Sequence, residues 1–321
     1  MDPRRLRLLL ELSRRGSMRA VAEATGVATS TVSQQLAVLS AEAGVTLIEP
    51  VGRRVRLTPA GTRLAGHAVA ILGAIEAARA DLDPMAEPAG DVRVAAFATA
   101  ARRSLLPVAR LLQTGHPLVR LHLYEHEPTE ALSLLRDDRV DLSLTYDYNL
   151  APQGREPDLV TTPLWHAAWS LAVPATGDRP SGDALTIFRH FRRRDWVVNS
   201  RETTDEEVVR TVASMAGFTP TIGHRADSLE LVADLIAAGL GVGLLPAGRA
   251  PLPGVVLLPL TDPDVVLRAF AVTSLGRENW PPLALVRRLI VDHDAASFGR
   301  PDRLDQLDRM DGPDRMNRPD Q

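Results

Sequence analysis

Residues 17–61 read SMRAVAEATGVATSTVSQQLAVLSAEAGVTLIEPVGRRVRLTPAG. A helical pattern over Met18–Ala24 stops at Gly26, a residue that supplies the positive φ a sharp inter-helix turn often needs. A second helix starts near Thr29, with Thr, Ser and Gln crowding its first two turns. Two short β-like runs follow, Val45–Glu49 and Val55–Thr58, joined by Gly52, Arg53 and Arg54. Helix, turn, helix and basic hairpin in this order predict a winged helix-turn-helix, whose second helix fits the major groove of DNA.

The apolar spacing agrees. Leu6, Leu9 and Leu10 mark one face of a preceding helix, and Val21, Ala22, Val32, Leu36 and Leu39 recur at helical intervals. With those positions inward, Thr29, Ser30, Thr31, Ser33, Gln34 and Gln35 turn to solvent or to the turn. Their hydroxyls and amides suit base edges and phosphates, glutamine pairing naturally with adenine. Arg53 and Arg54 suit phosphate or minor-groove contact. Ser17 and Arg19, at the start of the preceding helix, complete the candidate DNA contacts. The alternative is a polar helix face that meets only water.

Residues 2–88 resemble the N-terminal domain of LysR-type transcriptional regulators. The resemblance rests on Leu6, Gly16, Ser17, Ala22, Val27, Val32, Ser33, Gln35, Leu36, Leu39, Gly44, Val45, Leu47, Gly52, Arg53, Leu57, Thr58, Ala60 and Gly61. The chain departs from that pattern at Ala28, where the family often has a capping serine, and at Gln34, often basic. It also departs at Ser40, Ile48 and Pro50. Gln34 bears on the operator sequence, while Ala28 removes an N-cap oxygen worth about 1 kcal/mol unless Thr29 or Ser30 replaces it.

Composition fits a cytoplasmic globular protein. The chain has 321 residues, enough for two or three domains, and no cysteine, which excludes disulfides and thiolate metal sites. The start reads as an amphipathic helix, not a signal peptide. No apolar run approaches the ~20 residues that span a bilayer. All 37 basic residues are arginine. Residues 1–63 carry ten of them against five acids, whereas the whole chain is at −3. A basic module on a mildly acidic protein fits local phosphate binding.

A helical pattern runs from Pro59 to about Asp83, and Leu64, Ala68, Ile71, Ile75, Ala78 and Leu82 alternate by four and three. Such a helix is nearly 40 Å long at about 1.5 Å per residue. It predicts pairing with a second copy, and the family resemblance favours the same dimer. A dimer presents two reading helices to an inverted repeat. Residues 84–90, PMAEPAG, stop the helix and provide a hinge. The expected division is 1–58 for DNA binding, 59–83 for the linker helix, 84–90 for the hinge, 91–296 for an effector domain and 297–321 for a disordered tail. The tail holds repeated PDR and RPD fragments and few apolar groups.

The rest reads as α/β. Val92–Phe97, Val119–Tyr124 and Val140–Tyr146 are strands separated by helices at Leu105–Thr114 and Thr129–Asp137. The same order recurs as Trp196–Val198, Asp205–Ala216, Thr219–His224, Ser228–Ala238 and Gly241–Leu245. The βαβαβ order predicts parallel pairing. Leu159–Val173 is expected to hold two strands, and Val255–Leu258 and Val265–Thr273 one each. Two such lobes resemble the effector domain of the same family, which shares its architecture with type 2 periplasmic binding proteins. One lobe is expected over about 91–164 and 265–296, the other over about 165–264. Ligands in such folds sit at strand carboxyl ends near helix N-termini. Those places here supply Thr99, Arg102, Ser104, Tyr146, Asn199, Thr203, Thr204 and His224 as candidate effector contacts, the resemblance placing the effector between the lobes. Arg102, Arg103 and Arg201 hint at a carboxylate.

Enzymatic readings are weak. Gly239, Gly241 and Gly243 follow a helix and lead into a strand, the reverse of a dinucleotide loop, and fit a helix C-cap and a close-packed strand. His122 and His126 lack a third metal ligand. No nucleophile-elbow or zinc-protease motif occurs. No metal and no cofactor is expected. The reading is a sequence-specific transcriptional regulator in which an effector shifts the population of two states and changes RNA polymerase access. The resemblance further suggests a tetramer on DNA. A solute-binding protein or an α/β enzyme is the alternative.

Overall fold

The computed structural model describes every residue except 53, 83–86, 155, 200–202, 249–251 and 299–321, and leaves aside the side chains of 54, 80, 81 and 203. The tail, Arg53, Arg201, residues 84–86 of the hinge and the side chains of Arg54 and Thr203 thus lie outside the described residues. The chain forms two compact units. The first holds residues 1–144, 156–161 and 271–290; the second holds 145–155, 162–270 and the remainder from 291.

The first unit opens with α1 (Pro3–Arg15), α2 (Met18–Thr25), α3 (Thr29–Ala43), the hairpin β1 (Ile48–Val51) and β2 (Arg54–Leu57), and α4 (Pro59–Leu82). Asp2 caps α1 by accepting from the Arg4 N–H, and Ser17 caps α2 by accepting from Ala20. Gly16, Gly26 and Gly44 end the three helices at φ of 68°, 71° and 68°. Of these first three helices, α3 alone starts without a side-chain cap: Ala28 holds the extended N-cap conformation and makes no side-chain hydrogen bond. Ala28→Ser should therefore add about 1 kcal/mol to the stability of this region. Hydrogen exchange of the α3 amides checks it, and unchanged protection would count against the account.

Leu6, Leu9, Val21, Ala22, Val32, Leu36 and Leu39 share one core, as their spacing predicts, and Leu47 joins them. Leu10 points elsewhere and packs with Val69 and Leu72 of α4. The linker helix is thus also a wall of the domain. Ala65 and Ala68 lie in the main core and Leu64 packs against it. This corrects the assignment of Ala68 to a partner helix, because it is fully buried within its own unit. The reason is that α4 carries two apolar stripes, and the small residues on one of them let α1 approach. Ile71, Ala78 and Leu82 remain exposed and Ile75 half-buried. The first strand also starts later than its β-like run, because the Gly44 and Val45 N–H groups finish α3 by donating to Ala41 and Ser40 carbonyls.

The α/β part comprises β3 (Gly90–Ala96), α5 (Ala98–Ala100), a π turn (Ala101–Leu105), α6 (Leu106–Gly115), β4 (Val119–Glu125), α7 (Pro128–Arg136), β5 (Leu142–Tyr148), β6 (Leu159–Pro174), α8 (Ala184–His190), β7 (Asp195–Asn199), α9 (Thr203–Met215), β8 (Thr221–Ala226), α10 (Leu229–Ala237), β9 (Val242–Pro246), β10 (Val255–Pro259), β11 (Val266–Ser274) and α11 (Pro281–Phe298). In the first unit β3 pairs in parallel with β4 and β5. In the second β7 pairs in parallel with β8 and β9, while β6 is antiparallel to β9 and β10. Both βαβαβ orders are therefore present. The stretch expected to hold two strands is a single one, β6, of 16 residues. It passes from the first unit to the second between Thr161 and Thr162, and β5 and β11 are likewise shared between the two units. Helix α11 was not anticipated, although Pro281 and Pro282 at its start and buried Leu283, Val286 and Ile290 are helical signals.

Candidate nucleic-acid interface and effector-binding residues

Three fully buried residues of α3, Val32, Leu36 and Leu39, fix its rotation. That leaves Thr29, Ser30, Thr31, Ser33 and Gln34 exposed along one side. Gln35 is turned partly inward, where its Oε1 accepts from Arg5 Nε at 2.9 Å. The missing cap contributes here as well: the first N–H groups of α3 have no side-chain acceptor and are available to a phosphate oxygen. Arg19 is exposed and pairs with Glu23 one turn on, at 2.9 Å. The Ser17 hydroxyl accepts from Ala20 at 3.2 Å, so it orients α2 as well as facing outward.

The wing pairs Ile48 with Leu57, Glu49 with Arg56, Pro50 with Val55 and Val51 with Arg54, and turns at Gly52 with φ 60°. Arg56 is a candidate the sequence reading missed. It stands on the exposed side of the wing and is paired with Glu49 at 2.6 Å. An alternation of Arg54, Val55, Arg56 was the available signal. Val51 at the tip is half exposed, an apolar edge beside the basic ones.

The effector candidates divide between the two units. In the first, Thr99 is half-buried within α5, and Arg102 is exposed on the π turn. Ser104 is fully buried, well inside the same helical stretch, so burial and not a helix start explains it.

In the second unit two of the candidates, Tyr146 and Asn199, meet at a carboxylate that was not anticipated. Asp205, in the first turn of α9, is buried and accepts from Tyr146 at 2.5 Å and Tyr148 at 2.6 Å. Burial pushes its carboxyl up to about 6, although hydrogen bonds from Tyr146, Tyr148 and Asn199 oppose the rise. Tyr148 also packs edge-on against Trp169 at 5.5 Å. Among the described residues the Asn199 Oδ1 and Trp169 Nε1 atoms are buried without a hydrogen-bond partner. Thr204 is buried at the start of α9, and His224 is half-buried on β8. The N-terminus of α9 therefore already carries a carboxylate of its own, which competes with any anion offered to it.

The glycines weighed against a nucleotide loop serve packing. Gly239 ends α10 with φ 78°, and a Cβ on Gly241 would lie 2.6 Å from the Asp195 carbonyl oxygen of β7. His122 contacts Asp91 at 3.1 Å and His126 contacts Glu130 at 3.0 Å, so the two imidazoles serve different partners. Among the described residues, no helix is long and apolar enough to cross a membrane.

Comparison with known proteins agrees with this arrangement. Residues 3–62 match the bacterial regulatory helix-turn-helix protein, lysR family, and residues 85–295 match the LysR substrate binding domain. The transcriptional dual regulator GltC of Bacillus subtilis is 28% identical over 250 residues, 77% of this chain and 81% of its own length. A probable hydrogen peroxide-inducible genes activator of Streptomyces viridosporus is 30% identical over 233 residues, 71% of this chain and 72% of that one. A cysteine-to-aspartate variant of full-length OxyR from Pseudomonas aeruginosa shares the fold with a TM-score of 0.70 at 20% identity, covering 92% of this chain and 95% of that chain. Full-length BenM does so at 0.54 and 22%, covering 94% and 100%. The present chain has no cysteine, so thiol chemistry is closed to it. Both halves of the molecule, the helix-turn-helix and the two α/β lobes, are thus accounted for together: the chain belongs to the LysR family of transcriptional regulators.

Proposed function

We propose that α3 reads the operator through Ser33 and Gln34, while Arg19, Arg54 and Arg56 hold the phosphate backbone. The observation that carries this is the rotation of α3, in which buried Val32, Leu36 and Leu39 leave the hydroxyl and amide residues outward. Thr29, Ser30 and Thr31 lie at the helix start, where phosphate contact is favoured. Two copies pair through the exposed stripe of α4, Ile71, Ile75, Ala78 and Leu82, and address an inverted repeat. The protein works in the cytoplasm as a dimer or as a tetramer built from two dimers, and its reorientation on DNA alters access of RNA polymerase.

The double substitution Ser33→Ala with Gln34→Ala should weaken binding to the duplex upstream of the protein's own gene by roughly 5- to 150-fold, from about 1–3 kcal/mol of lost base contact. The salt slope should stay unchanged, since no charge is removed. A gel shift at several salt concentrations measures both. Equal affinity for the operator and for random duplex in the native protein would defeat the reading.

We propose effector contacts in each unit taken by itself: Thr99 and Arg102 in the first, Asn199 and His224 in the second. The Arg102 side favours a carboxylate. The Asp205 side, with the unpartnered Asn199 oxygen, favours hydrogen-bond donors such as an amine or hydroxyl. Tyr146, Thr204 and Asp205 support that surface from behind. Thermal melting against amino acids, hydroxy acids and simple carboxylates tests it. Melting shifts from plain carboxylates equal to those from the bifunctional compounds would remove the donor requirement.

A further inference from the structure

Arg14 stands in the last turn of α1. Its Nε and Nη2 donate to both carboxylate oxygens of Asp138, at 2.7 and 3.2 Å. Asp138 lies 124 residues further along the chain, in the turn between α7 and β5. It holds φ 52°, in the left-handed region. Both partners are mostly buried, with side-chain exposures of 19% and 15%. A two-toothed guanidinium–carboxylate contact out of water is the geometrically specific kind of ion pair.

The pair is anchored on the lobe side. Asp141 is buried and accepts from Arg93 Nε and Nη2 at 3.0 and 2.9 Å, from the Arg93 backbone N–H at 3.0 Å, and from Arg277 at 2.9 Å. Arg277 in turn lies 3.9 Å over the Trp280 ring. A second contact comes from α4. A Cβ on Gly73 would lie 3.1 Å from the Gly276 carbonyl oxygen, and one on Gly276, at φ 83°, would lie 2.6 Å from Ala70. The linker helix therefore touches the turn before α11 backbone to backbone. All these residues belong to the first unit.

We infer that the DNA-binding domain is latched to the β3–β5 lobe of its own chain by Arg14 on Asp138, and that this latch carries the state of that lobe to the DNA-reading helix. The lobe has a rigid ionic base, α1 is packed on α3 in the same core, and the fork fixes one orientation of α1 where a single hydrogen bond would allow several. The linker helix contact acts as the pivot.

The absence of cysteine makes the test direct. Cysteines are introduced at exposed Ala24 and Gln113, spin-labelled, and the full-length chain is mixed with excess unlabelled protein so that only intrachain distances are read. One narrow distance distribution is expected. Arg14→Gln and Asp138→Asn should each broaden it at least twofold, with Arg14→Lys between them. Asparagine tolerates the left-handed φ, so Asp138→Asn keeps the turn folded. In parallel, each variant is titrated with duplexes carrying the whole upstream site or half of it. The latch predicts at least fivefold weaker binding to the whole site and unchanged binding to the half. A distribution that is broad in the native chain, or unmoved in both variants, overturns the latch. Equal losses on whole and half sites overturn its role in DNA binding.

Discussion

Replacing Gly61 by alanine should unfold the wing and abolish DNA binding, although alanine is ordinarily the better helix former. Gly61 stands in the first turn of α4, where a Cβ would overlap the carbonyl oxygen of Leu47. That oxygen cannot retreat cheaply. It accepts from the Thr58 N–H at 3.0 Å, and Leu47 is itself buried in the core. The Thr58 hydroxyl ties the same corner by donating to Thr46 at 2.7 Å and accepting from the Gly61 N–H at 3.0 Å. Overpacking costs about 1–3 kcal/mol, and each hydrogen bond lost adds about 1 kcal/mol. A loss of at least ~3 kcal/mol follows, against the ~1 kcal/mol that helix propensity returns. Gly66, one turn later, has nothing within reach of its Cβ. Gly66→Ala is therefore the matched control and should stabilise by up to ~1 kcal/mol. Urea titration of the two variants, with a gel shift, separates them. Similar stabilities would mean that the wing yields at Leu47 without cost.

The second large effect is expected at Asp141. Asp141→Asn leaves Arg93 and Arg277 facing a neutral amide inside the first unit, and breaking a buried pair in this way costs about 3–5 kcal/mol. The effect has a pH signature. Burial alone would push the Asp141 carboxyl up, but the hydrogen bonds from Arg93 and the charges of Arg277 and Arg93 outweigh it and hold it down at about 2. A depressed carboxyl contributes stability that is complete above the unfolded value near 4 and disappears as pH falls through 2. The shift corresponds to roughly 2 kcal/mol. The native chain should lose that increment between pH 4 and 2, and Asp141→Asn should not. Asp205 works in the other sense. Its carboxyl is raised, so its contribution is complete below pH 4 and is lost as pH climbs through about 6. Chemical unfolding at pH 3, 5 and 7 distinguishes the two groups. A native chain with no dependence below pH 4 would remove the Asp141 account.

Helix α3 shows how much was legible in the residues. Val32, Leu36 and Leu39 recur at intervals that only a helix brings to one side, and the outward positions of Ser33 and Gln34 follow from them. The absent cap at Ala28 was equally readable, since capping is a matter of one residue and the next turn. Helix α4 was only half readable. Its exposed stripe through Ile71 and Leu82 was visible, but the claim of α1 on Ala68 was not, because a helix with small residues on two sides can offer either to a neighbour. Likewise Ser104 follows a strand end at a promising distance, yet the π turn carries it into the core.

By itself, the sequence determined the helix-turn-helix, the hairpin, the two βαβαβ runs and the family to which they belong, because each depends on residues within one or two turns of each other. Only the tertiary structure decided which carboxylates meet which arginines and tyrosines. Arg14 finds Asp138 across 124 residues, and Tyr146 finds Asp205 across 59. Contacts at such separations leave no period in the chain; they arise when strands and helices are packed, and burial then selects the charges that can satisfy one another.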